Sequence, residues 1–315
     1  MYKTIRGLFL PVCLIGFFSF VGAKQSCFNF NKKNAIYSVA IGAISYGLNN
    51  LFTKNFETLC KNVHVFAPSK EHKAWFDQEL CRMGVDPEKI AIRYIFTGGM
   101  LASTYEGIIV IDPLTWNTDD IICKNARTFY VSALHGSGKW NQQIDAFFEK
   151  IRQVSTPESQ RFIFRHEVGH LVAGDVKKRI IAGSLLAISN CYLSMSFAHY
   201  VTDSPVKRNM ITIASILSTS LLFNALYNNI FIALQENNAD IFAAQYSTKE
   251  EILAAADFFE AHGKALDELQ HAQGTWFSSK RFGKLVSGHM RGEERAQFLR
   301  KFAHTFSSLK CESRL

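Results

Sequence analysis

The sequence predicts an α+β fold that is predominantly α-helical, with a small β-sheet and an interruption by a hydrophobic helical hairpin. The clearest strand signal is a β-branched run at 107–111, stopped by Asp-Pro, whereas helical spacing of apolar residues recurs elsewhere. Two long apolar runs, 180–198 and 210–234, lie between segments of ordinary polarity. With 48% apolar and 20% charged residues among 315, the chain is neither disordered nor collagen-like.

The first sixty or so residues carry two further apolar runs. The run at 7–23 follows two basic residues and ends in small residues, so residues 1–23 are expected to be a signal peptide or an uncleaved membrane anchor. Residues 24–59 are expected to be a linker with a possible second membrane helix at 35–52. Because that run contains serines and asparagines, a buried or interfacial helix is the alternative.

The central part of the chain mixes charge, aromatic residues and short strand-like stretches, as an extramembrane domain would. The strand at 107–111 is expected either to be buried or to offer its edge to a partner. Helical spacing from 140 to 165 is broken near Thr156-Pro157, where a new helix should begin. The runs 180–198 and 210–234 are joined by a short polar loop and predict a transmembrane hairpin, with a buried soluble helical pair as the alternative.

The charge balance favours a lipid membrane over a nucleic acid as a partner. The formal net charge is +8, from 35 Lys plus Arg against 27 Asp plus Glu. Walker, G-x-G-x-x-G and RNA-binding aromatic motifs are absent from the sequence, and basic clusters flank the apolar runs. The seven cysteines contain no CxxC pair, so they predict neither a metal site nor a disulfide pattern.

The most informative motif is H-E-x-x-H at residues 166–170. On a helix, His166 and His170 lie one turn apart on one face, close enough for both imidazoles to bind one Zn²⁺ ion. The Glu167 side chain is then angled to reach a water molecule bound to the same Zn²⁺ ion. The alternative is a solvated helix face with incidental histidines. The spacing therefore predicts two zinc ligands and a general base.

A catalytic zinc ion needs a third protein ligand and an open position for water. Glu236, just past the run at 210–234, is the natural candidate for that ligand. Asp240 follows one helical turn later and is expected to accept the spare N–H of a ligand imidazole; a solvent-facing carboxylate is the alternative. Two membrane crossings between His170 and Glu236 would return the chain to the side from which it started, so that both halves of the site can meet.

These motifs together resemble the membrane zinc metallopeptidases of the HtpX and C-a-a-X prenyl protease type. In that family H-E-x-x-H is followed by a hydrophobic segment, then E-x-x-A-D, and later H-P-x-x-x-x-R. The matching positions here are 166–170, 236–240 and 289–295. His289 and Arg295 keep the family's spacing, while Met290 stands where the family has proline.

The resemblance implies a zincin-like metallopeptidase domain at 60–315, interrupted by the hairpin and holding one zinc ion per chain. It implies a zinc metalloendopeptidase that hydrolyses peptide bonds of protein substrates at a membrane surface, with Glu167 as general base. His289 and Arg295 are the groups that it implies for stabilising the oxyanion of the tetrahedral intermediate. For His289, a helix-capping or surface histidine is the alternative.

The family also has an Asn-Ala pair before an edge strand that binds substrate. This chain has the strand at 107–111, but Leu101-Ala102 stands where the Asn-Ala pair would be. The resulting hypothesis is that an extended peptide pairs along 107–111 by β-augmentation.

Two other functions stay open at the level of the sequence. One is an intramembrane site-2-type protease, in which the motif lies inside an apolar span; here Arg161 and Arg165 precede it and favour a site at the membrane surface. The other is a catalytically silent, membrane-anchored scaffold that keeps the fold, against which the intact motifs argue. A multi-pass membrane protein is expected, and the side of its catalytic domain, its substrate and its oligomeric state stay open.

Overall fold

The computed structural model describes residues 34–44, 46–48, 51, 66–96, 102–105, 107–136, 142–272 and 292–312. The run at 7–23, predicted to be a signal peptide or anchor, lies outside the described residues. The chain divides into two compact units: Met1–Gly47 with Gly183–Phe223, and Leu48–Ala182 with Asn224–Leu315. The second, larger unit contains all the described residues of the predicted site.

Helices make up most of the described residues, which confirms the mainly helical part of the predicted fold. In chain order they are α1 Asn34–Leu48, α2 Lys70–Arg82, α3 Ile121–Gly136, α4 Gln142–Val154, α5 Pro157–Ala173, α6 Asp175–Val201, α7 Pro205–Leu226, a π-helix Tyr227–Ile232, α8 Ala233–Gln245, α9 Lys249–Ala272 and α10 Gly292–Glu312. The strands are β1 Ala91–Tyr94, β2 Ala102–Tyr105 and β3 Ile108–Ile111.

The small sheet has the order β1-β3-β2, with β3 parallel to β1 and antiparallel to β2. All four residues of β3 are fully buried. An uninterrupted β-branched run suits a strand that is covered on both faces, so it takes the centre of the sheet. The prediction of a buried strand is confirmed, and the hypothesis that 107–111 offers an edge to a peptide is wrong. Among the described strands, β2 is the outer strand next to α5.

Helix α5 begins where the sequence predicts. Thr156 is its N-cap and accepts a hydrogen bond from the Ser159 N–H, while Pro157 occupies the first turn, where a missing N–H costs nothing. The helix ends at Gly174, whose φ of +66° is the left-handed conformation that glycine adopts without strain. Between these ends α5 packs against α8, α9 and β2, and its residues from Ser159 to His170 are almost all buried.

A buried ionic network fixes α5 within the larger unit. Arg165 is fully buried; its Nε donates to Glu79 on α2 at 2.8 Å and its Nη1 donates to Glu251 on α9 at 2.5 Å. The Arg165 Nη1 also donates to Ser247 at 3.0 Å. Because the two carboxylates belong to two different helices, Arg165 ties both of them to the helix that carries H-E-x-x-H.

One helix among the described residues is long and apolar enough to cross a membrane, namely α6, with 27 residues. Helix α1 is apolar but shorter. The run at 210–234 is helical throughout: α7 ends at Leu226, the π-helix follows directly, and α8 begins at Ala233. At the end of that run the side chains differ in exposure, since Ile232 is buried whereas Ile230 and Leu234 are exposed.

The smaller unit holds its helices together partly through polar contacts. The Asn190 side-chain amide on α6 donates to the Ser220 hydroxyl on α7 at 2.8 Å, and the Thr219 hydroxyl donates to the Asn190 carbonyl oxygen. On α1, Gly42 lies against Ile188 so closely that a Cβ at position 42 would come within 2.0 Å of Cγ1. The Asn190 side chain therefore links α6 to α7 by hydrogen bonds.

Candidate metal centre

The H-E-x-x-H motif lies in the buried middle of α5. His166 and His170 face each other one turn apart, with ring centroids 4.6 Å apart and ring planes at 88°. Their Nε2 atoms are 3.0 Å apart. Both residues are nearly inaccessible to solvent, at 4% and 6% exposure. The two imidazoles thus direct the same ring nitrogen towards one point.

Glu236 on α8 reaches that point from the neighbouring helix. Its Oε2 lies 3.3 Å from the His166 Nε2 and its Oε1 lies 3.4 Å from the His170 Nε2. One potential ligand atom from each of the three residues falls within 4.8 Å of the others, and all three residues are buried. The predicted third ligand and the predicted histidine pair are therefore close together.

The two helices come close because the residues at their crossing are small. Gly169, which directly precedes His170, lies against the backbone of Ala239. A Cβ at position 169 would be 3.1 Å from the Ala239 Cα and 3.1 Å from the Phe242 Cδ1. Any side chain at 169 would push α8 outward. The glycine within H-E-x-x-H and the alanine within E-x-x-A-D thus set the spacing between the two halves of the site.

Each imidazole is held at its second nitrogen by a carboxylate. The His166 Nδ1 lies 2.8 Å from the Asp240 Oδ1, and the His170 Nδ1 lies 2.8 Å from the Asp175 Oδ2. A carboxylate at Nδ1 favours the tautomer with its proton there, so Nε2 keeps its lone pair for a cation. Burial disfavours a charged His170, but hydrogen bonds to Asp175 and Glu236 outweigh burial and raise its pKa to about 9.

Arg295, at the start of α10, completes the contacts around Asp240. Its Nε and Nη2 donate to the two Asp240 oxygens at 2.9 and 2.5 Å, and its Nη2 also lies 2.9 Å from the His166 Nδ1. The guanidinium stacks on the Phe259 ring at 3.7 Å. Burial alone would raise the pKa of Asp240, but Arg295 and His166 outweigh it and lower that pKa. Asp240 is therefore a buried carboxylate held between two partners.

Glu167 is directed towards the sheet side of α5. Its carboxylate Oε2 accepts a hydrogen bond from the Thr104 hydroxyl on β2 at 2.7 Å. The same hydroxyl lies 2.9 Å from the Glu167 main-chain oxygen. The outer strand of the sheet is thus in direct contact with the predicted general base.

Arg179 contacts the third candidate ligand from the first turns of α6. Its Nη2 donates to the Glu236 Oε1 at 3.1 Å and its Nε donates to the Gln235 Oε1 at 2.7 Å. The Tyr227 hydroxyl donates to the Arg179 main-chain oxygen at 3.2 Å. Arg179, near the start of α6, therefore contacts both Glu236 and Tyr227, two residues that follow α7 in the chain.

Of the site residues predicted from the sequence, the structure brings six together: His166, Glu167, His170, Glu236, Asp240 and Arg295. His289 lies outside the described residues. Asp175, Thr104 and Arg179 were not predicted from the sequence as site residues. A signal for Asp175 existed, since Gly174 is a helix-ending residue and the next helix starts with a carboxylate beside His170. Thr104 carried no such signal, because its role depends on how β2 meets α5.

The donor set fits a zinc ion. Two imidazole Nε2 atoms with one carboxylate are a known ligand set of catalytic zinc, and the carboxylate behind each imidazole is the usual support for such ligands. Glu167, Glu236, Asp240 and Asp175 also place four carboxylates in one buried region. Arg295 and Arg179 neutralise part of that negative charge, and a divalent cation among the ligands would offset the rest.

Comparison with known proteins agrees with the resemblance inferred from the motifs. The family model described as Peptidase family M48 matches residues 134–303, which include H-E-x-x-H, Glu236, Asp240 and Arg295. No curated protein and no solved structure matches the chain. The match covers more than half of the 315 residues. The chain therefore belongs to peptidase family M48, the metallopeptidases of the HtpX and C-a-a-X protease type.

Proposed function

We propose that this metallopeptidase is a zinc-dependent endopeptidase that cleaves protein substrates at a membrane surface. The observation that carries the proposal is the convergence of three buried ligand atoms, two imidazole Nε2 atoms and a Glu236 oxygen, within 4.8 Å of one another. His166, His170 and Glu236 would hold one zinc ion per chain. Asp240 and Asp175 would keep the two imidazoles in the tautomer that the metal needs.

Zinc bound by these residues would lower the pKa of a water molecule to about 7 and polarise the peptide carbonyl. Glu167 would take the proton of the attacking water and return it to the departing amine nitrogen. A positioned general base of this kind contributes about 10²- to 10⁴-fold to the rate. Glu167 suits this role because it lies on the same helix as both imidazoles, one residue after His166.

Arg295 is assigned a positioning role in this mechanism. The resemblance implies that Arg295 or His289 stabilises the oxyanion. The guanidinium of Arg295, however, is engaged by both oxygens of Asp240 and by the Phe259 ring. These contacts favour a function through Asp240 and His166, and they leave the oxyanion role to His289.

The substrate is proposed to be an extended peptide paired with β2. Among the described strands β2 has a neighbour at one edge, β3, and the face of the sheet that carries the Thr104 side chain meets the helix that bears Glu167. Pairing of a peptide with the other edge of β2 would lay its backbone beside the site. This proposal replaces 107–111 by Ala102–Tyr105 as the strand that binds substrate.

The membrane part of the proposal is a hairpin of α6 and α7. A chain that crosses in α6 must return before Glu236 if the ligands are to meet. Helix α7 has 22 residues, which at 1.5 Å per residue is about 33 Å and matches a hydrocarbon core of about 30 Å. Large apolar side chains such as Leu185, Ile213 and Leu217 are exposed on these helices. Lipid is the solvent in which that exposure is favourable.

Two observations bear on the other candidate functions. An intramembrane protease would have its motif inside an apolar span, whereas α5 is anchored by Arg165 to two carboxylates within the larger unit. A silent scaffold would have no need of a general base, yet Glu167 is present and in contact with Thr104. Both observations favour an active peptidase.

The proposal is tested with detergent-purified full-length protein. Wild type is expected to contain one zinc ion per chain and to cleave casein, while Glu167→Gln keeps the zinc and loses at least 10²-fold in rate. The control is Glu158→Gln on the same helix, where the side chain is 43% exposed and activity should be unchanged. Equal cleavage by wild type and Glu167→Gln would contradict the mechanism, and absence of zinc from wild type would favour the scaffold.

A further inference from the structure

A single hydroxyl group joins the outer strand of the sheet to the helix of the metal centre. The Thr104 Oγ1 lies 2.7 Å from the Glu167 Oε2 and 2.9 Å from the Glu167 main-chain oxygen. The shorter distance is to the carboxylate, as expected for a hydrogen bond to a charged acceptor.

The strand register fixes the position of that hydroxyl. Thr104 is paired with Ile109 in the antiparallel ladder between β2 and β3, so their side chains lie on the same face of the sheet. Ile109 is fully buried in the main core, together with residues of α5 such as Phe162. Thr104 therefore extends from the face of the sheet that meets α5, and its β-branched side chain has few rotamers to choose from.

The hydroxyl restricts Glu167 to one orientation. A glutamate has three rotatable side-chain bonds, so without a partner its carboxylate samples several positions. A hydrogen bond from Thr104 to Oε2 holds that oxygen beside β2 and thereby limits the positions that the other oxygen, Oε1, can take. The second contact, with the Glu167 main-chain oxygen, keeps the hydroxyl beside its acceptor.

We propose that Thr104 is a positioning residue that holds the carboxylate of Glu167 in the geometry needed for proton transfer. This inference rests on the proposed function and deepens it. Thr104 belongs to the strand that is proposed to pair with the substrate backbone, so one residue would align the peptide through its main chain and the base through its side chain. The paired strands β2 and β3 would then fix the positions of both the substrate backbone and the Glu167 carboxylate.

Thr104→Val is the direct test, because valine has the shape of threonine, favours strands equally and lacks the hydroxyl. We expect kcat for a fluorogenic peptide to fall about 10- to 100-fold, as is typical when a residue that orients a site residue is removed. KM should stay within about twofold, since the main chain of β2 is unchanged. Thr104→Ser restores the hydroxyl and should recover most of kcat. The control is Thr128→Val, which removes an exposed hydroxyl on α3.

A double-mutant cycle shows whether Thr104 acts through Glu167. Glu167→Asp shortens the side chain by one methylene and withdraws its carboxylate from Thr104. If the proposal is right, adding Thr104→Val to Glu167→Asp lowers kcat by less than threefold, because the contact is already lost. Zinc content and melting temperature of each variant, measured in parallel, identify variants that have lost the fold.

The outcomes separate this inference from the proposed function. A Thr104→Val variant with zinc bound and wild-type kcat overturns the positioning role, while the loss of activity in Glu167→Gln still supports the peptidase. An increase in KM at constant kcat would also overturn the role, because Thr104 would then act on substrate binding. If Thr104→Val lowers kcat equally in wild type and in Glu167→Asp, the positioning role is overturned, because the loss of kcat then comes from a change in the sheet and not from the contact with Glu167. If Glu167→Gln is as active as wild type, the proposed function itself fails.

Discussion

Replacing Gly169 by valine tests whether the helix crossing sets the geometry of the metal centre. A Cβ at 169 would lie 3.1 Å from the Ala239 Cα, whereas ordinary contacts start at 3.4 Å, so the first added carbon alone requires a shift of 3.4 − 3.1 = 0.3 Å. Two γ-carbons increase that shift. Ligand distances in a zinc site tolerate only about 0.2 Å. Zinc affinity is therefore expected to fall about 10- to 100-fold.

The effect on stability is expected to be smaller than the effect on zinc. Overpacking costs about 1–3 kcal/mol, and the better helix propensity of valine over glycine returns a few tenths of a kcal/mol. The assay is competition for zinc between the purified protein and a fluorescent chelator, with melting curves of the metal-free protein alongside. Gly183→Val is the matched control, because no atom lies within 4 Å of a Cβ at that helical position. Wild-type zinc affinity in Gly169→Val would refute the reasoning.

Three more predictions follow from the same contacts. Asp175→Asn weakens the acceptor at the His170 Nδ1 and should lower zinc affinity about 10- to 100-fold in the same competition assay, with little change in the melting temperature of the metal-free protein. Arg165→Met removes the fully buried partner of Glu79 and Glu251; because Glu251 keeps Arg161 as a partner, the cost should lie near the lower end for a broken buried ion pair, about 3 kcal/mol, in chemical denaturation at pH 7. Burial opposes the charged form of Glu251, but hydrogen bonds from Arg165 and from main-chain N–H groups outweigh burial and lower the pKa of Glu251. The folded wild type should therefore lose stability as the pH falls below 4.5, the ordinary pKa of a glutamate, and Arg165→Met should lose less stability over the same pH range. Gly292→Ala places a Cβ 2.1 Å from a main-chain oxygen of α9 and should displace the start of α10, which lowers both the melting temperature and the zinc affinity; unchanged values would show that α10 has no part in the centre.

The sequence predicted the helical elements and most of the site because their signals are local. The break at Thr156-Pro157 combines an N-cap residue with a proline, and α5 begins there. The spacing of His166 and His170 requires only a helix to bring both imidazoles to one side. Glu236 and Asp240 share a face for the same reason. Only the meeting of the two helices needed tertiary information.

The sequence failed where position depended on partners distant in the chain. The run at 107–111 predicted a strand, but whether a strand is central or outer depends on which other segments pair with it. Ala102–Tyr105 is short and polar, and it became a strand by pairing with β3. Its Thr104 therefore could not be recognised as a neighbour of Glu167, 63 residues later in the chain.

The central claim is that His166, His170 and Glu236 bind one divalent metal ion together. X-ray absorption spectroscopy of the zinc-loaded, full-length protein tests that claim most directly. We predict a first shell of two imidazoles and oxygen ligands, with Zn–N distances of about 2.0–2.1 Å, and a zinc affinity that is at least 10-fold weaker in Glu236→Ala. A first shell that contains sulfur, or an unchanged zinc affinity in Glu236→Ala, would contradict the claim.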